Sequence, residues 1–572
     1  MKTFSPLRCA STLAAALLLG TLSAPAGQVT YEWNALSGGW TTPGNWKDGV
    51  VPVNSPIEGV VLLSNGSKLT PASTELSNTQ GPINQLSVGQ YNTLLISGAG
   101  TLSIRPGSVS KDPASFLNEG TISATNTSGQ YMLDYQGTSS FTNTGTIEAK
   151  GVGGTFLING SKGSDLVNTG GQMTVYAGST LGLRTLSTGT SAIVGGTLTS
   201  AAGGTILVTE SNATLRLRDI TVSNSGTFRV QHGTVVTNDR ITHAVLHGTT
   251  ALTNATTGLV HILTDGSGTR DDAKSRATQI ELLDTSSLTN QGTLRVESTT
   301  TATGIQMGLQ SAEFKITSAN ATFSSTGTIE VFHNTTLANT LTRFSSVKSV
   351  TNQGKVHIRG NTNNTGASFV ITGTGNSYTQ SGSGVRSTVL ENGGLLSAPI
   401  VSIASGSLGG VGQVTGATTI GIGASLNPGE VIPGTPGAGL LTFSGNLALA
   451  NGAALNFHLG ENTASSSQIA LLGASSLTLG NGITLTLTLG ESAELNTVYR
   501  LFSLDSGTIT GTLSLENLIA PAGYTGVFLG GEGQSYLDFR LQAVPEPSTW
   551  LLGLSGMALL FWFQRRRPFM QT

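Results

Sequence analysis

One phrase returns along this 572-residue chain and limits what it can become: LNEGTISA from Leu117, FTNTGTIEA from Phe141, LVNTGGQMTV from Leu166, VSNSGTFRV from Val222, LTNQGTLRV from Leu288, FSSTGTIEV from Phe323 and VTNQGKVHI from Val350. Its general form is apolar, x, Asn, x, Gly, Thr, apolar, x, apolar. Asn118, Asn143 and Asn168 lie 25 residues apart, and Asn224, Asn254, Asn290 and Asn352, with Ser325 in the equivalent place, drift to intervals of 27 to 36. Periods of about 20 to 50 residues mark solenoids.

After each Gly the apolar positions alternate, as in Ile122 and Ala124, Ile147 and Ala149, Phe228 and Val230, Leu294 and Val296. Period two belongs to a strand with one buried face, so the intervening Ser123, Glu148, Arg229, Arg295, Glu330 and His357 are expected to turn outward into solvent. One such strand cannot hide its apolar side, whereas repeats of this length can each make a coil and stack into a continuous core. The expected fold is all-β: a parallel β-helix or β-solenoid, with asparagines stacked in an amide ladder. The Asn-x-Gly step is expected to be a tight turn, since both residues tolerate positive φ. About 500 residues at about 25 per coil and about 4.8 Å per strand spacing give a rod on the order of 100 Å long.

An exposed coil edge invites pairing with other chains, so the stack needs closed ends. Trp33, Trp40 and Trp46 fall within fourteen residues at the start of the solenoid, while the other tryptophans, Trp550 and Trp562, lie in the tail. Three indoles there read as a cap over the first coil or as a sugar-stacking patch. The chain divides into residues 1–26, an N-terminal cap at 27–64, β-helix repeats at 65–395, a region of altered register at 396–460, a C-terminal β region at 461–543 and a tail at 544–572.

The two ends carry export features. MKTFSPLRCASTLAAALLLGTLSAPAGQ has basic Lys2 and Arg8, an apolar stretch from Ser11 to Leu22 and the small-x-small site of Ala24 and Ala26, which is the pattern of a secretory signal peptide cut after Ala26. Cys9 is the only cysteine and lies inside that leader, so the mature chain is expected to hold neither disulfides nor thiolate metal sites. At the other end, Ser548 to Gln564 is apolar and precedes Arg565, Arg566 and Arg567. That order reads as one C-terminal transmembrane helix with a cytoplasmic stop. Without both ends the chain keeps 23 of its 28 basic residues against 30 acidic ones, a net charge of −7 that argues against nucleic-acid binding.

Chemistry is sparse in the sequence. HAVLH, with His243 and His247, has metal-chelating spacing on a helix, but in a strand the two lie about 13 Å apart, so no metal is expected. TDGSGTRDDAKSR, containing Asp271 and Asp272, is the densest charge cluster and reads either as a loop between coils or as the acid pair of a polysaccharide lyase or hydrolase. No nucleotide-binding or hydrolase motif appears, and neither a cofactor nor a catalytic residue is expected.

Two resemblances add to this reading. SGSLGGVGQVTGATTI, then GASLNPG, then GLLTFSGNLALANGAALNFHL, within residues 396–460, resembles the passenger-associated strand repeat of autotransporters, although the membrane barrel such chains carry would need more than the residues after Gly460. Pro545-Glu546-Pro547, the short apolar helix and the arginine cluster closely resemble the PEP-CTERM sorting signal recognised by exosortases of Gram-negative bacteria. That resemblance implies export, a transient hold in the inner membrane, processing by an exosortase-type enzyme, and delivery to the cell surface or extracellular matrix. The resulting expectation is a non-enzymatic surface or matrix protein associated with extracellular polysaccharide and biofilm. A polysaccharide-degrading β-helix enzyme and a surface adhesin are the alternatives.

Overall fold

The computed structural model describes residues 29–565 apart from 53–58, 65, 67–71, 106–113, 136–139, 161–164, 169, 186–188, 210–212, 232–239, 266–275, 300–309, 336–339, 362–365, 383–386, 430–436 and 545–548. Each strand of the repeat region pairs in parallel with the strand three places further on. Ser115–Asn118 lies beside Ser140–Asn143, Thr121–Ala124 beside Thr146–Ala149, and Gln130–Tyr135 beside Thr155–Gly160. A coil therefore has three faces, here the first, second and third in chain order, and the chain climbs by one strand spacing per turn. The result is a parallel β-helix-like solenoid.

Alternation builds the interior. Ile122, Ile147, Met173, Leu198 and Val222 stack on the second face with no exposure, and Phe116 lies on Phe141 with ring centroids 4.3 Å apart and planes 11° from parallel. A single buried cluster runs from the tryptophans to Leu541. Because each coil buries its apolar side only against its neighbours, stability accumulates along the stack rather than in one centre.

The recurring phrase does not mark one column. Asn118 and Asn143 end strands of the first face, and Asn168 occupies the same corner. Asn224, Asn254, Asn290 and Asn352 instead end strands of the second face, where the earlier coils place Ala124, Ala149, Val175 and Ser200. The residues expected to face outward divide in the same way: Ser123, which is buried rather than solvated, and Glu148 belong to the second face, and Arg229, Arg295, Glu330 and His357 to the third. The phrase is thus a corner device used at two different corners. Amide ladders do form at both, as the next subsection details.

The turn chemistry also differs from expectation. Positive φ occurs in one copy of the phrase, at Gly170 (+83°); none of the phrase's asparagines, nor Gly120, Gly145, Gly226, Gly292, Gly327 or Gly354, has it. Glycine is required for another reason: a Cβ on Gly145 would lie 2.1 Å from the Gly120 carbonyl oxygen, and one on Gly327 2.0 Å from that of Gly292. At this corner successive coils approach too closely for any side chain.

From residue 387 the coils tighten. Ser387–Ile403 is one strand that bends through all three faces, pairing in turn with the third, first and second face of the preceding coil. Positive φ at Asn392 and Gly393 makes the first bend. The three columns then continue through residues 396–460 and beyond, until Val498–Leu504 meets Tyr536–Ala543, which runs antiparallel to it and to Tyr524–Gly530. This reversed hairpin closes the C-terminal end of the stack.

The expected transmembrane helix is not supported. The tail forms a helix over Thr549–Arg565, seventeen residues, and among the described residues no helix is long and apolar enough to cross a membrane. At 1.5 Å per residue it reaches about 25 Å, short of a hydrocarbon core of about 30 Å.

Candidate functional site: the caps, the outer faces and the sorting tail

At the N-terminal end the three indoles pack on one another. Trp46 meets Trp33 and Trp40 edge to face, each pair with centroids 5.1 Å apart, and its Nε1–H donates to the Trp40 carbonyl at 2.8 Å. Trp40 Nε1–H donates to the Pro52 carbonyl at 3.3 Å. All three are 3% exposed or less and belong to the main core cluster, which leaves no indole face on which a sugar could stack.

At the corners the amides form directional files. Asn118 Nδ2 donates to Asn143 Oδ1 and Asn143 Nδ2 to Asn168 Oδ1, each at 2.6 Å. On the other corner Asn224 donates to Asn254 at 2.8 Å, Asn254 to Asn290 at 2.7 Å and Asn290 to the Ser325 hydroxyl at 3.2 Å. Asn352 then donates to Gln380 at 3.0 Å. Every donor points up the chain, so the first acceptor of each file, Asn118 Oδ1 or Asn224 Oδ1, is buried without a partner among the described residues.

Outside, Arg295, Glu330 and His357, expected to be solvated, are paired from coil to coil. On the third face His261 contacts Glu297 at 3.0 Å, Arg295 contacts Glu330 at 2.6 Å and His357 contacts Glu391 at 2.8 Å, while the Arg359 guanidinium sits 4.2 Å over the Phe332 ring. On the first face His243 pairs with Glu281 at 2.9 Å, and Arg343 and Lys315 both hold Glu313, whose side chain is 3% exposed. The hydrogen bond from His243 chiefly, opposed by burial, holds Glu281 below the usual carboxylate range, and His261 does the same for Glu297. Burial lowers the pKa of His333, whose Nδ1 lies 3.1 Å from the Thr342 hydroxyl. His243 and His247 do not share a partner: each faces its own carboxylate, Glu281 and Asp284. Among the described residues no group of three or more His, Cys, Asp or Glu side chains is placed to hold a metal ion.

Apart from Lys315 with Glu313, these pairs escaped sequence reasoning because each partner lies a whole coil away. A signal was present: Arg295, Glu330 and His357 each stand five residues after a ladder residue, Asn290, Ser325 or Asn352, and equal offsets mean adjacent coils. Ala24, Ala26, Asp271, Asp272, Pro545, Glu546, Pro547, Arg566 and Arg567 lie outside the described residues, and Arg565 is the exposed last residue of the helix.

A stack of parallel coils, closed by tryptophans at one end and by a reversed hairpin at the other, with a short apolar helix hung from the hairpin, defines a β-solenoid bearing a C-terminal targeting segment. Residues 543–567 match the PEP-CTERM protein-sorting motif. The motif marks an exported protein that an exosortase recognises and sorts. No curated protein matches the chain.

Proposed function

We propose that this protein is a non-enzymatic rod of the cell surface or extracellular matrix, delivered by exosortase processing and associated with extracellular polysaccharide. Residues 1–26 direct it into the secretory route, and the apolar helix with its arginines holds it at the inner membrane until the tail is processed. A helix of this length makes a weak anchor, which suits a hold that must be released. The observation that carries the reading is the union of a sorting motif with a chain whose described residues are almost wholly spent on stacked coils and their closures. Such a product is all surface, and its faces repeat once per coil.

The test is the intact mass of the protein recovered outside the cell, together with its co-fractionation with the cells' own polysaccharide. The reading expects a chain that begins after Ala26 and lacks the arginine cluster. A secreted form retaining residues up to Thr572 defeats the sorting part. Cleavage of uronate or neutral glycans by the protein, abolished by Asp271→Asn with Asp272→Asn, defeats the non-enzymatic part.

A further inference from the structure

The second face differs from the other two on its outer side. Register places Thr174 beside Thr199, then Ser223, Thr253, Thr289 and Ser324, one residue from each successive coil. The Ser325–Asn352 pair carries the register across the next step, and the file resumes at Thr351, passing through Thr379 and Ser402 to Thr419. All of these side chains are exposed or half-exposed, and none has a hydrogen-bond partner within the protein among the described residues. A shorter file two positions earlier adds Thr197, Thr221, Ser287 and Thr322, interrupted by Ala251. No outward residue of this face from Gln172 to Thr419 is charged.

Two further features keep this face regular. From Tyr135 to Ala367, the connections that stretch the repeat join the third strand of one coil to the first strand of the next, as from Gln231 to Arg240, from Thr264 to Arg276 and from Ser298 to Gln310. That corner lies opposite the second face, whose own flanking corners stay short, as at Asn254–Leu259 and Leu282–Ser287. Threonine is also stiff at χ1, so successive hydroxyls repeat their direction and little freedom is lost when they are engaged.

We infer that the second face is a docking surface for a linear, neutral, hydroxyl-rich glycan lying along the rod. This inference rests on the matrix reading above and assigns it a face. Hydroxyls recur at the strand spacing of about 4.8 Å, close to the advance of one sugar unit in an extended chain. Each hydroxyl both donates and accepts, which matches sugar hydroxyls without regard to direction. The strip offers no cation to an acidic polymer, and it has none of the Trp, Tyr or Arg anchors on which protein interfaces depend. Single contacts of this sort are weak, so binding must come from many coils acting on one chain, and affinity will rise steeply with glycan length.

The experiment uses the protein as cells release it, run by affinity electrophoresis through gels containing soluble linear β-glucan or alginate. Retardation by the β-glucan and not by alginate is expected, with oligosaccharides of a few units competing poorly. The variant Thr253→Val, Thr289→Val, Ser324→Ala keeps side-chain shape and should lose at least ten-fold in association constant with unchanged melting. Arg229→Gln with Arg359→Gln on the third face should bind as the parent does. Equal retardation of parent and triple variant, or retardation by alginate alone, overturns the assignment of the face. If the protein is retained by the producing cells' polysaccharide while the triple variant is retained equally, only the face assignment falls. If it is retained by no polysaccharide at all, the matrix reading falls with it.

Discussion

Residues 117–168 and 222–352 spell the same phrase, and the solenoid uses it at different corners. In the first stretch the amides close the step from first to second face; in the second they close the step from second to third. Between Asn168 and Asn224 the file gives way to Ser200, which sits directly beneath Asn224. The comparison shows that the phrase encodes a type of corner, with a buried amide reaching up to the next coil and a glycine passing close above a carbonyl of the coil below. It does not encode a position on the coil. Either corner accepts it because the demands are local.

The strongest test of that equivalence is steric. Gly145→Ala and Gly327→Ala each force a Cβ to about 2 Å from a backbone oxygen, which the coil below cannot move aside cheaply. Each should cost about 3 kcal/mol or more, measured by urea unfolding, since overpacking against backbone exceeds the usual range. If only one of the two is destabilising, the corners are not equivalent.

The amides come next. Asn143→Leu and Asn254→Leu each orphan a neighbouring buried carbonyl, at a cost of about 2–3 kcal/mol. Asn254 should be the more costly, because its amide also reaches the carbonyls of Gly258 at 3.2 Å and Thr293 at 3.0 Å, whereas among the described residues Asn143 reaches one backbone carbonyl, that of Gly145 at 3.4 Å. Equal losses would show that the rung-to-rung bond alone matters.

Acid should separate the two stretches. All seven histidines lie at residue 232 or later, and His333 has its pKa lowered by burial. Its neutral form stabilises the fold above its ordinary value of 6.5, and that contribution is lost as pH falls below this value towards the depressed one. Glu281 and Glu297, also lowered, contribute above the ordinary 4.5 and lose their share as pH falls through their depressed values. Hydrogen exchange, corrected for its intrinsic pH dependence, should show residues 240–359 opening at higher pH than residues 115–185. His333→Asn should flatten the upper part of that dependence.

The smallest expected effect is a gain. Ser200→Asn would supply the partner that Asn224 Oδ1 lacks, and Gly204 stands to Ser200 as Gly258 stands to Asn254. The extended file should stabilise the protein by about 1 kcal/mol, a typical net hydrogen bond.

Much of this architecture was legible in the sequence, for physical reasons. Period-two alternation fixed which side chains turn inward, and the 25-residue spacing of Asn118, Asn143 and Asn168 fixed the stacking. The change of corner was not legible, because the 56 residues from Asn168 to Asn224 contain two coils and one face, and nothing local distinguishes that sum from unequal coils. The coil-to-coil pairing of His261 with Glu297 was hidden behind a connection of altered length. The φ reading of glycine holds at Gly170, but at Gly145 and Gly327 the demand is an approach between coils, which leaves no trace within one repeat. At the tail, composition identified the helix and its length, but seventeen residues are too few for the membrane crossing that the apolar composition suggested.

The reversed hairpin at the C-terminal end has a consequence for manufacture. Val544, the second residue of the sorting motif, donates its N–H to the Gly523 carbonyl at 2.9 Å and fastens the last strand at the point where the motif begins. A cut beyond that point severs a thread already knotted. The rod can surrender its delivery label without a single coil coming loose, and because the closing strand runs against the grain of the stack, the first face ends without a parallel edge on which another rod could grow.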